Sequence, residues 1–149
     1  MSDYINLLNE KILKDVIYPT LGKDTTYLHQ LDQFGKSLFG KKFKGCYPSD
    51  QIPKLTDLEP YCILNLDNSK QKGSHWVGVC KDGNETFIYD SFGRANKKII
   101  PTLKKSGNGK IHDTDRDVEQ EIWQLDCGQR SMAFLCLCDG WGIELAKKL

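Results

Sequence analysis

Apolar residues recur at helical spacing from the start of the chain. Ile5, Leu8, Ile12 and Val16, with Leu13 and Ile17 beside them, mark the buried face of a helix. Ser2 or Asp3 is available to cap it, and Pro19 is expected to stop it. A second helix is predicted from about Thr25, with Tyr27, Leu28, Leu31 and Phe34 on one face and Gly35 at its end. The stretch that follows, GKSLFGKKFKGCYPSDQIPK, is rich in Gly, Pro and Lys and is expected to be loop with at most a short helical turn.

From Tyr61 the pattern changes. YCILNL has the length and apolar character of a strand, and HWVGVCK and NETFIYD flank Asp82-Gly83 as a hairpin. Lys97, Lys98, Lys104, Lys105 and Lys110 decorate a segment expected to be loop-like, with SGNGK at its end. EIWQL is expected to form another short strand. CGQRSMAFLCLC then reads as a buried helix closed by DGWG. Helices, then strands, then a helix predict an α+β fold in one domain spanning residues 1–149. Its small mixed or antiparallel sheet is expected to pack against the helix that begins at Cys127, with additional helices at the N-terminus.

The hairpin has a chemical consequence. A two-residue turn at Asp82-Gly83 pairs Lys81 with Asn84, and counting outward sets His75 opposite Asp90. A loop closed by Cys80 and Glu85 keeps that register. Opposed residues have Cβ atoms roughly 5 Å apart, within reach of an imidazole–carboxylate bond. Such a carboxylate fixes the imidazole tautomer and stabilises the imidazolium. On these two residues alone a half-buried structural pair is the favoured reading; a nearby nucleophile makes the pair informative.

Cys127 supplies one, because it opens the apolar helix. A helix N-terminus and a neighbouring imidazolium both favour the thiolate, and the same backbone N–H groups can face an oxyanion. Gly128 leaves room for a substrate backbone to approach. Cys136 and Cys138 are two residues apart on the helix and point to different sides, while Cys62 and Cys80 sit in strands as packing residues. Cys46 has no assigned role. His29 and His112 are expected to be ordinary surface residues. No CxxC spacing suggests a structural zinc.

Composition narrows the picture without redirecting it. Hydrophobic residues make up 39% and charged residues 28%, with a formal net charge of +1, so no global attraction to nucleic acid or membrane is expected. No stretch is long and apolar enough to span a bilayer, and the N-terminus has no signal-peptide pattern. The six cysteines are therefore expected to be reduced thiols, and the sequon at Asn84 a chance match. Lys41, Lys42 and Lys44 with the lysines from Lys97 to Lys110 form a solvated surface or, as the alternative, a basic patch for accessory DNA.

The ordered set GSHWVGV, FIYDSFG and Q-x6-CG opening an apolar helix resembles the adenain-type cysteine peptidases, the adenovirus-protease and Ulp1-like clan. The resemblance covers Tyr61 to about Asp139. It implies a papain-type fold with His75 as general base, Asp90 as its orienting acid, Cys127 as nucleophile and Gln120 as the oxyanion-hole glutamine. Glu121 occupies the shorter family spacing, and Gln124 is the fallback. Trp76 adjoins the catalytic histidine, as a wall of the substrate site or as core. No metal or organic cofactor is implied. The chain is shorter than typical members, so peripheral elements and the adenovirus enzyme's cofactor site are not carried over. The implied substrates are viral capsid or core precursors cut after small, Gly-Gly-like sequences, inside the host cell or in the virion. An activating peptide stays open. The alternatives are removal of ubiquitin-like proteins, or a non-catalytic relative that binds protein or nucleic acid.

Overall fold

The computed structural model describes residues 2–66, 75–91, 99–114 and 125–149. The first helix, α1 (Ser2–Ile12), runs through a π-helical turn (Leu13–Ile17) into α2 (Tyr18–Leu21). The expected stop at Pro19 does not occur. Proline lacks an N–H, and its ring crowds the carbonyl one turn back. The wider π turn just before it, with the Tyr18 N–H on Leu13 O, accommodates both problems, and the helix ends at Gly22 with φ 71°.

The next helix, α3 (Leu28–Phe39), passes through Gly35 instead of ending there. A side chain at Gly35 would run into the Phe43 ring, so this glycine serves close packing. Gly40, at φ 62°, takes over as the terminator. After a short 3-10 turn (Gly40–Lys42), β1 (Phe43–Tyr47) lies where loop was expected. Lys44 and Gly45 break its apolar alternation, and a register irregularity between Phe43 and Gly45 adjusts its parallel pairing with β2 (Tyr61–Asn65). The expected hairpin follows as β3 (Trp76–Asp82) and β4 (Glu85–Tyr89).

The lysine-decorated segment is also more ordered than expected. It contains α4 (Ile99–Lys105) and β5 (Lys110–Asp113); Lys97 and Lys98 lie outside the described residues. Ile99 and Leu103, one helical turn apart, bury one face of α4, while Gly107 and Gly109 adopt positive φ in the turn to β5. Most of the expected EIWQL strand lies outside the described residues. Cys127 begins α5 (Cys127–Trp141) as expected, and α6 (Ile143–Ala146) follows.

The strands form one five-stranded mixed sheet in the order β1-β2-β3-β4-β5. The outer pairs are parallel and the two inner pairs antiparallel. The protein is therefore α+β. Both sheet faces are buried, which is why β2 and the first part of β3 are apolar at nearly every position. One face carries Ile63, Trp76 and Tyr89, the last stacked on Phe134 of α5, in a core shared with α1, α3 and α5. The other carries Leu64, Val77, Val79 and Ile88 beneath Ile99 and Leu103 of α4.

The hairpin register differs from the expected one. Asp82 pairs with Glu85 and Gly78 with Tyr89, so the turn is Gly83-Asn84. An Asp-Gly turn of the I′ type needs positive φ at the aspartate. Only glycines have positive φ among the described residues, and Gly83 takes 62° at the first central position, the II′ pattern. This turn carries the register two residues further, so His75 does not stand directly opposite Asp90. A shift of two preserves the face, however, and leaves the two residues as diagonal neighbours at the open end of the hairpin.

Candidate active site

His75 immediately precedes β3, and Asp90 immediately follows β4. Their diagonal relation is close enough for long side chains to meet. His75 Nε2 lies 2.7 Å from Asp90 Oδ1, and both side chains are buried. Burial alone lowers the imidazole pKa. Hydrogen bonding to Asp90 and to Cys127, with the attraction of both charges, overrides it and carries His75 from 6.5 to about 9. The ring is therefore held as an imidazolium at neutral pH. With Nε2 engaged by Asp90, Nδ1 is the ring nitrogen left to serve the thiol.

Cys127 reaches this pair as the first residue of α5. Its Sγ accepts a hydrogen bond from the Trp76 backbone N–H at 3.4 Å. The sulfur is thus tied to the strand position next to His75. Ser131, one helical turn on, places its hydroxyl 2.8 Å from Cys127 O and 3.2 Å from Trp76 O, holding the start of α5 against the start of β3. Gln129 anchors the same turn to the α2–α3 loop by donating to Gly22 O at 2.9 Å and Asp24 O at 2.7 Å.

Two residues expected at the substrate site also pack inside the protein. A Cβ at Gly128 would run into Thr26 Oγ1 and stand 3.0 Å from the Leu31 methyls, so the protein's own chain fills that side of the glycine. Trp76 is 5% exposed and its indole N–H donates to Thr26 O at 3.3 Å, which makes it a core residue beneath the same loop. Gln120, Glu121 and Gln124 lie outside the described residues. The other sequence candidates separate cleanly. Burial pushes the thiols of Cys46, Cys62, Cys136 and Cys138 up, so they persist as neutral packing groups. All six cysteines are free thiols. His29 is exposed on α3, whereas His112 lies on β5, stacked on Phe87 and 3.1 Å from Glu85.

Sequence reasoning missed a second buried group beside the nucleophile. Asp126 accepts from Tyr18 Oη at 2.6 Å and from Arg130 Nε at 3.2 Å. The Asp126–Arg130 half was available as an i, i+4 pair on a helix. The Tyr18 contact spans most of the chain and left no local signal. A cavity of about 530 Å³, lined by Glu10, Lys11, Lys14, Asp15, Tyr18 and Lys23, opens at the outer edge of this group; His75, Asp90 and Cys127 are not in its lining. Among the described residues no group of three or more His, Cys, Asp or Glu is arranged to hold a metal ion, and no helix is long and apolar enough to cross a membrane.

The fold and this cluster define an α+β protein with a buried Cys–His–Asp constellation at one end of a mixed sheet. Compared with protein-family models and with curated proteins, the chain finds no match in either.

Proposed function

We propose that the chain is a cysteine peptidase of the adenain or Ulp1-like kind, built as a single papain-type domain. The observation that carries this reading is the convergence of three groups distant in sequence. An imidazolium bonded through Nε2 to Asp90 at 2.7 Å is coupled to a thiol at a helix N-terminus. A purely structural histidine–aspartate pair has no need of that thiol.

In this reading the Cys127 thiolate, its proton held on His75 Nδ1, attacks the peptide carbonyl carbon, and the carbonyl electron pair moves to oxygen. Backbone N–H groups at the start of α5 stabilise that oxyanion, with the Gln120 side chain as the second donor. His75 gives the proton on Nδ1 to the departing amine as the C–N bond breaks, leaving an acyl-enzyme. It then removes a proton from water, whose oxygen attacks the thioester and releases Cys127. Asp90 keeps the imidazole oriented through both halves and stabilises the imidazolium whenever His75 carries the proton. The residues need no cofactor for these steps.

The substrates proposed are protein precursors cut after small residues, in the manner of viral maturation, inside a cell or a particle. Mass-spectrometric mapping of the bonds cut in candidate capsid and core precursors tests this. The wild-type chain is expected to give discrete new termini after small residues, and Cys127→Ala none. Identical products from both proteins would refute the peptidase reading.

A further inference from the structure

An aspartate leading into a helix ordinarily turns its carboxylate onto the N–H groups of that helix. Asp126 leads into α5 and makes no such bond. Its Oδ2 instead accepts from the Tyr18 hydroxyl at 2.6 Å, and both of its oxygens accept from Arg130 Nε at 3.2 Å. Arg130 extends the chain of contacts, with Nη1 3.5 Å from Glu10 Oε1. Asp126 and Arg130 are both buried, so this is not a solvated surface pair. Burial and the Asp126 carboxylate push the Tyr18 phenol up, which keeps it a donor.

The consequence lies one residue away. We infer that Tyr18 and Arg130 are positioning residues that clamp the Asp126 carboxylate and offset its charge beside Cys127. The backbone of Asp126, at ψ 28°, already turns the carboxylate away from a capping position. Left without these donors, the carboxylate would bring unbalanced negative charge next to the sulfur, which opposes a thiolate at the helix end. A buried ion pair serving only to anchor α5 could use any surface of the helix. This one engages both oxygens of the side chain next to Cys127. The inference does not rest on the peptidase reading.

The test is the rate at which iodoacetamide labels Cys127 in the full chain at pH 6, followed by mass spectrometry of the modified peptide. Tyr18→Phe, which removes one oxygen from a half-buried ring, is expected to slow labelling about threefold, the size of a charge effect at a helix end. Arg130→Lys should move it the same way. In an Asp126→Ala background there is no carboxylate to restrain, and Tyr18→Phe should have no effect on labelling. Unchanged labelling in Tyr18→Phe, or equal slowing in the Asp126→Ala background, would overturn the inference. With a cleavable substrate, Tyr18→Phe should lower kcat while KM is retained. Because labelling needs no substrate, a chain that cuts nothing sinks the peptidase reading and leaves this test standing.

Discussion

Replacing Asp90 with asparagine keeps the shape of the side chain and removes the charge that faces His75. In the wild type the imidazole rises from 6.5 to about 9 against the opposing effect of its own burial. Ordered by size, the upward influences are the hydrogen bond to Asp90, the hydrogen bond to Cys127, the charge of Asp90 and the charge of Cys127. Asp90 therefore supplies at least half of the upward pull. Its loss should bring the imidazole below about 8. The whole rise corresponds to about 3 kcal/mol of preference for the imidazolium, so at least half of that is at stake.

The direction with pH follows from linkage. A histidine whose folded pKa is raised stabilises the protein fully below its unfolded value near 6.5, and that stabilisation is lost as pH rises through about 9. Asp90→Asn should therefore cost most stability near pH 6 and much less above pH 9. The imidazole is best followed by NMR titration of the His75 ring protons, with thermal unfolding of both proteins across the same range. If His75 in Asp90→Asn still titrates near its wild-type value, or the gap in Tm is the same at both ends of the range, Asp90 does not hold the imidazolium.

Three further substitutions probe the frame around this pair. Gly128→Ala should destabilise the fold by about 2 kcal/mol, because its methyl has nowhere to go between Thr26 and Leu31; chemical denaturation measures it. Ser131→Ala should cost about 1 kcal/mol in the same assay, through the hydroxyl bonds to Cys127 O and Trp76 O. Gly83→Ala should cost a similar amount, about 1 kcal/mol, through its positive φ alone, since open space surrounds that position; a neutral result would mean that the turn is not Gly83-Asn84.

The parts of the site legible in the sequence are those written in local patterns. Cys127 leads by one turn into the apolar run from Met132 to Cys138, so the helix it opens was visible. His75 and Asp90 flank two strands joined by a strong turn signal, so their proximity followed from counting. The turn moved by one residue, because aspartate resists the positive φ that glycine accepts. Parity survived, and with it the shared face. The failures lie where tertiary contacts override local preference. FKGCY reads as loop by its lysine and glycine, yet it becomes a strand because β2 offers it an edge. Gly35 looks like a stop, but Phe43 needs its missing side chain. Pro19 looks like another, and a π turn absorbs it. Tyr18 could not be linked to Asp126 by any spacing, since the bond exists only once α2 packs beside the start of α5.

The position of the sulfur depends less on the reactive residues than on the packing of the two elements that carry them. Cys127, Ser131, Phe134 and Cys138 form one stripe along α5, and Trp76, Gly78 and Cys80 line the facing side of β3. Four helical residues advance about 6 Å and two strand residues about 6.6 Å, so the stripes stay in step over several turns. Cys127 meets the Trp76 N–H and Ser131 meets the Trp76 carbonyl, while further along the nearby Cys80 helps to push the Cys138 thiol up. Gly78 sits at the centre of this contact, where an added Cβ would stand 3.1 Å from both the Phe134 ring and the Ser131 carbonyl oxygen. The backbone carbonyl yields less readily than a side chain, so a methyl there would push α5 away from β3. The Trp76 N–H would then lose the sulfur before any reactive side chain had changed. The approach of thiol to imidazole thus depends also on a residue with no side chain at all, which lets α5 pack this closely.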